Sequence, residues 1–150
     1  MDSASEDVEV HAAPGRCGIA CVVLRQVRAT PEAPLDAPVH ANSFASLNIV
    51  LQGEVRSGGE RLPACFLTGP FSVPFATRVA GELRSASLVF PAWLLPTLCG
   101  EPAGRLADRV VDMDLLEAAL LTRACEQLIE AERTRDCAPL WRWWETLVAD

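Results

Sequence analysis

The stretch Ser46-Leu47-Asn48-Ile49-Val50-Leu51-Gln52 decides the fold. Leu47, Ile49 and Leu51 alternate with Asn48, Val50 and Gln52. A period of two gives an extended chain one wholly apolar face and one mixed face. The pattern predicts a strand over 46–56. Ser57-Gly58-Gly59 follows, and glycines take positive φ without a Cβ clash, so the chain turns back there. The return runs over 60–67. Pro63 has no N–H for a ladder, which places this strand at an edge or delays its start. Thr68-Gly69-Pro70 is a further turn, and 72–79 and 83–90 predict two more strands, parted at Ala80-Gly81. Upstream, the apolar run from Cys17 through Cys21-Val22-Val23-Leu24 predicts a strand over 17–24. Three prolines in 30–38 predict a loop. Residues 1–15, acidic and then small, predict a flexible arm. Short strands at close spacing, with turn signals between them, predict an antiparallel sandwich or barrel.

After Phe90 the pattern changes. Pro91 suits the first position of a short helix over 92–98, closed by Cys99-Gly100. Pro102 opens another, through about Arg109. Asp114 and Glu117 have capping-box spacing and predict the start of a long helix. Leu121, Ala124, Leu128 and Ala131 share one face of it, and Arg123, Glu126, Glu130 and Arg133 the other. Pro139 begins a last helix carrying Trp141, Trp143 and Trp144. Strands first and helices after make an α+β fold. The expected organisation is a flexible arm over 1–15 and a single domain over 16–150. Its strand-rich part covers about 17–90 and its helical part about 91–150.

Composition narrows the chemistry. The 150 residues carry 13 basic and 20 acidic side chains, a net charge of -7, and half of them are apolar. Every basic residue is arginine, so Schiff-base chemistry and the lysine-dependent phosphate loop are excluded. There is no tyrosine to act as acid or base. Two histidines, His11 and His40, rule out a three-histidine metal centre. No basic stripe exists to displace counterions from a phosphate backbone, so direct nucleic-acid binding by this segment is disfavoured. The acidic start lacks the basic and apolar regions of a secretory signal. Prolines break the longest uncharged stretches, 62–77 and 85–100, below the length of a membrane span. These features predict a cytoplasmic protein whose six cysteines (17, 21, 65, 99, 125 and 137) are free thiols packed as small apolar residues.

Several residues invite a chemical reading beside a structural one. Cys17 and Cys21 fall on one face of a strand but about 13 Å apart along it, too far to share a metal. They also miss the two-residue redox spacing, so core packing is the expectation. His40 lies near Asn42 and Ser43 in a loop, where a backbone hydrogen bond accounts for it. Asp108, Asp112 and Asp114 are close enough for paired-carboxylate chemistry, yet capping and helix ends explain them. Glycines 53, 58, 59 and 69 form no phosphate-binding fingerprint. Trp141 and Trp144 share a face with Val148, and Trp143 points elsewhere. One face of this helix packs on the strands, or the other meets a partner.

Five pieces carry a resemblance: Ser46-Leu47-Asn48-Ile49-Val50-Leu51-Gln52-Gly53-Glu54; Leu62-Pro63-Ala64-Cys65-Phe66-Leu67-Thr68-Gly69-Pro70; Ser87-Leu88-Val89-Phe90-Pro91; Leu98-Cys99-Gly100; and Leu106-Ala107-Asp108-Arg109-Val110-Val111-Asp112. In this order and spacing, residues 46–115 resemble the N-terminal sensor region of AraC-type transcriptional regulators. The resemblance implies a cupin-like β-barrel, or sandwich, followed by helices that dimerise. It also implies a helix-turn-helix DNA-binding domain, for which these 150 residues have no room and no basic patch. Metal-binding cupin enzymes use histidine-rich strand motifs that this sequence lacks.

The expected function is therefore ligand sensing and dimerisation for a transcriptional regulator, with no catalytic residues, no metal and no cofactor. The expected partners are an unknown small-molecule effector and a second copy of the chain, with DNA reached only through another domain and no membrane. Asn48, Gln52, Phe66 and Phe90 are the candidate ligand-binding residues. Leu121, Ala124 and Leu128 are the candidate dimer interface, with packing on the barrel as their rival role. Two alternatives stand beside this reading. One is a small cupin-like enzyme, an isomerase or thiol-dependent hydrolase using Cys65 or His40. The other is a protein-interaction module built on the tryptophan helix.

Overall fold

The computed structural model describes residues 3–15 and 19–149. It is an α+β fold in which two antiparallel sheets precede the main helices. The strands are β1 (Ser5–Ala12), β2 (Cys21–Arg28), β3 (Leu35–Asp36), β4 (Phe44–Gln52), β5 (Arg56–Ser57), β6 (Glu60–Arg61), β7 (Cys65–Thr68), β8 (Arg78–Val79), β9 (Glu82–Pro91) and β10 (Val110–Asp112). The helices are α1 (Leu95–Cys99), α2 (Ala103–Leu106), α3 (Ala119–Thr134) and α4 (Ala138–Val148). A six-stranded sheet has the order β1-β2-β9-β4-β7-β10, and a four-stranded sheet the order β3-β8-β5-β6. Among the described residues, no strand pairing closes either sheet into a barrel.

The alternation on β4 has the effect its sequence dictates. Ala45, Leu47 and Ile49 are buried, and Ser46, Asn48 and Val50 are half-buried on the opposite face. The first set joins Val22, Leu24, Leu67, Ala86, Leu88 and Phe90 in the main core, which α1, α3 and α4 cover. Leu121, Ala124 and Leu128 of α3 are between 0% and 1% exposed in this core, and Trp144 of α4 is 0% exposed. The Trp144 ring lies against Phe90, with centroids 5.8 Å apart. The helix face of the sheet is thus sealed by large side chains. A second, smaller core lies on the other face: Val27, Ala29, Val55, Val79 and Leu83.

The glycine hairpin forms as its residues predict. Arg56 pairs with Arg61 and Ser57 with Glu60, and the two residues between, Gly58 and Gly59, have φ of 59° and 82°. Those values are open to glycine at little cost and favour a tight two-residue connection. Pro63 falls between β6 and β7, splitting the expected return strand. The Thr68-Gly69-Pro70 turn meets the Leu106–Arg109 region directly. A Cβ on Gly69 would stand 1.9 Å from the Leu106 carbonyl oxygen, so only glycine fits. Asp108 completes the junction: its carboxylate accepts from the Ser72 amide at 2.7 Å and from Ser72 Oγ at 2.6 Å. These bonds hold the Asp108 carboxyl below the usual carboxylate range.

Several expectations are corrected here. Residues 5–12, expected as part of a loose arm, form β1, paired with β2 from Ser5 opposite Arg28 to Ala12 opposite Cys21. Asp7-Val8-Glu9-Val10 alternates, but acidic residues dilute the apolar signal on this exposed edge strand. The first core strand runs over Cys21–Arg28 rather than 17–24, and Cys17, with its candidate pairing to Cys21, lies outside the described residues. Only Arg78–Val79 of the expected strand 72–79 is a strand, with isolated bridges from Phe71 to Asn42 and from Phe75 to Val39. Val110–Asp112 forms β10, an edge strand beside β7, in a stretch for which the sequence predicts no element. Asp114 caps no long helix. Asp112 Oδ1 accepts from the Asp114 amide at a 3-10 turn over Met113–Leu115, and α3 begins at Ala119.

Candidate functional site: a cleft between the two sheets

The mixed face of the six-stranded sheet floors a cleft of about 290 Å³. Ser46, Asn48 and Val50 of β4, Phe66 and Thr68 of β7, Ser85 and Ser87 of β9, and Val23 and Arg25 of β2 form the floor. The far wall comes from Val55, Leu62, and the segments 37–39 and 75–77. Those two segments hold each other by backbone bonds, Ala37 N–H to Thr77 O at 2.9 Å and Val39 N–H to Phe75 O at 2.7 Å. The Thr77 hydroxyl donates to the Ala37 carbonyl as well. Phe75 stacks on Phe71 with centroids 5.0 Å apart, which steadies the wall.

Register puts four polar side chains in a row across the floor. Asn48 stands opposite Ser87 on one side and Phe66 on the other, and Ser46 opposite Thr68. Ser87 Oγ donates to Asn48 Oδ1 at 2.7 Å. Asn48 Nδ2 donates to Ser46 Oγ at 2.9 Å, and Ser46 Oγ shares a 2.5 Å hydrogen bond with Thr68 Oγ1. The amide at the centre is therefore fixed in orientation by its neighbours, and the hydroxyls keep acceptor capacity toward the cleft. At one end, Arg25 Nε donates to Glu6 Oε1 at 3.0 Å. Arg25 Nη2 is buried and makes no hydrogen bond among the described residues. A buried guanidinium nitrogen without an acceptor is costly, so this end of the floor carries an uncompensated polar atom.

The four candidate ligand residues divide between the faces. Asn48 and Phe66 line the cleft. Gln52 does not, although it shares the parity of Asn48. The register shifts between Val50 and Gln52, so Gln52 pairs with Arg84. The Arg84 guanidinium in turn lies 3.2 Å from Glu132 on α3, across the sheet from the cleft. Phe90 is also turned away, fully buried beside Trp144, because it pairs with Ala45 on the helix face. Ser46, Thr68, Ser87 and Arg25 were missed. Short polar residues inside apolar strands were the available signal, but their convergence depends on pairing.

The other candidates are placed as follows. Leu121, Ala124 and Leu128 are buried against the sheet within one chain, which is the packing role; their side chains present no surface to a second copy. Trp141 and Trp144 are buried in the same core and Trp143 is half-buried against it. His40 is exposed, and its carbonyl accepts from Asn42 Nδ2 at 2.8 Å. Cys65 lies on the helix face of β7, with its Sγ 3.4 Å from Cys125 Sγ of α3. Neither His40 nor Cys65 lines the cleft. Asp108 serves the Ser72 junction and Asp112 the 3-10 turn. No helix among the described residues is long and apolar enough to cross a membrane. No protein-family model, curated protein or solved structure matches this chain.

Proposed function

We propose that this domain is a small-molecule sensor in which the cleft between the sheets receives the effector, and that it serves a transcriptional regulator of the AraC type. The observation that carries the proposal is the hydrogen-bonded row Ser46–Asn48–Ser87 with Thr68, laid across the floor of a largely apolar cleft. Binding sites for small molecules combine apolar walls with a few fixed polar groups in this way. The effector class that fits has an apolar body and a hydroxyl or carbonyl for the Asn48 row. In this reading the two sheets are an open version of a cupin-like barrel, the architecture implied by the motifs between Ser46 and Asp112.

The fold offers a route from effector to output. β4, β7 and β9 carry the cleft on one face and the core under α3 on the other. A ligand that favours one spacing of these strands biases the seating of α3, and through it the arrangement of two copies and their DNA readers. Since Leu121, Ala124 and Leu128 are buried, the contact between copies belongs to outward residues such as Ile129, which is 43% exposed on α3.

A thermal-shift panel of sugars, small aromatic acids and cyclic ketones tests the cleft. Compounds that raise the Tm of the unaltered chain and lose that effect in Asn48→Leu support the proposal. A panel with no stabiliser, or stabilisers indifferent to Asn48→Leu, overturns it. Light scattering tests the coupling between copies: a strict monomer at high concentration, with and without a stabiliser, removes the regulator reading.

A further inference from the structure

We propose that Cys65 and Cys125 are a redox modification site, converted by hydroperoxides into a reversible disulfide that staples the strand beneath the cleft to helix α3. Their sulfurs are 3.4 Å apart, across a sequence separation of 60 residues. A disulfide needs about 2.05 Å, so closure asks for a movement of roughly 1.4 Å, within the reach of small side-chain rotations. Both residues are half-buried, neither sealed in the core nor displayed on the surface. The other described cysteines lack such an arrangement; Cys99, for instance, donates its thiol to the Leu95 carbonyl at 3.2 Å.

Nothing in the sequence pairs Cys65 with Cys125. Strand parity is what joins these two. Cys65 pairs with Ile49 and so shares its face, the face on which α3 lies. Cys125 sits midway along α3, one position beyond the buried Ala124.

The two thiols are chemically unequal. The two sulfurs share one hydrogen bond, which holds Cys125 below the ordinary thiol range and pushes Cys65 above it. Burial and Glu126 oppose ionisation of Cys125, and Asp112 and Asp114 oppose that of Cys65. In the proposed reaction Cys125, the thiol held low, is the attacking sulfur. Its thiolate forms a bond to one hydroperoxide oxygen as the O–O bond breaks, and an alcohol or water leaves after taking a proton. The Cys65 sulfur then attacks the Cys125 sulfenic acid. The S–S bond forms, the S–O bond breaks, and the departing hydroxide takes the Cys65 proton to leave as water. Two electrons pass from the sulfur pair to the peroxide, and a thiol reductant returns them. Because β7 also presents Phe66 and Thr68 to the cleft, the disulfide fixes α3 against a cleft strand.

The test uses the full chain, reduced and then exposed to hydrogen peroxide, with non-reducing peptide mapping by mass spectrometry. The expected product has lost two hydrogens and contains one linked peptide pair, Cys65 with Cys125. It reverts with dithiothreitol and melts roughly 5–10 °C higher than the reduced form. Cys65→Ser abolishes the linkage and leaves a sulfenic acid at Cys125 that a dimedone probe captures. The proposal is overturned by linkage through other cysteines, by linkage only between molecules, or by oxidation of Cys125 to sulfinic acid without linkage. The mapping of the unaltered chain decides the matter even if a variant folds poorly, and it does not depend on what the cleft binds.

Discussion

The two faces of the six-stranded sheet are made by the same strands and behave as different materials. On the helix face, Ala45, Leu47, Ile49, Leu67, Leu88 and Phe90 meet α1, α3 and α4 with almost no exposed surface. On the other face, Ser46, Asn48, Thr68 and Ser87 meet Val39, Val55, Leu62 and Phe75, in segments that flank the smaller sheet, across open space. Dense apolar packing resists change because any lost volume leaves a void. A polar row held by short hydrogen bonds keeps its geometry while staying open to a ligand. The contrast sets a sealed apolar face against a polar, open one, one residue apart along each strand.

The helix face breaks first. Trp144→Ala removes the fully buried indole that lies against Phe90 and costs about 3–5 kcal/mol, read from urea denaturation. A loss below about 1 kcal/mol would mean that α4 does not seal the core. The sharpest comparison lies within β4. Leu47→Ala is expected to cost about 2–5 kcal/mol, since its side chain is fully buried. Asn48→Ala, its neighbour on the cleft side, is expected to cost about 1 kcal/mol, because the freed hydroxyls of Ser46 and Ser87 can turn toward the cleft. Equal losses at the two positions would erase the distinction between the faces.

The smallest effect is electrostatic. The Asp108 carboxyl is held below its usual range by the two bonds from Ser72. Its contribution is present above the unfolded value of about 3.9 and disappears as the pH falls through the lower folded value. Asp108 has a positive φ of 58°, a conformation that asparagine also tolerates, so Asp108→Asn isolates the charge. The gap in Tm between the two proteins is expected at neutral pH and to close in acid. A gap independent of pH would show that the carboxylate charge contributes nothing to this junction.

Local chemistry made much of this fold legible. The alternation of β4, the paired glycines of the β5–β6 hairpin and the apolar stripe of α3 are each read within a few residues of chain. β1 escaped because an edge strand exposed on both faces has no apolar face to announce it. The start of α3 was misplaced because Asp114 belongs to a 3-10 turn whose cap, Asp112, has the same chemistry. The cleft was legible only in part. Asn48 and Phe66 line it, whereas Gln52 is turned away by a register shift that a strict period of two does not anticipate.

The sequence by itself determined which residues alternate, where glycine must turn the chain and which stripe of α3 is apolar, because these follow from backbone geometry and near neighbours. Tertiary structure alone decided which strand face becomes the cleft, that the α3 stripe is covered by its own sheet, and that Cys65 meets Cys125. Each of those outcomes depends on strand register, and register is set by pairing between segments tens of residues apart, a long-range choice that no local pattern encodes.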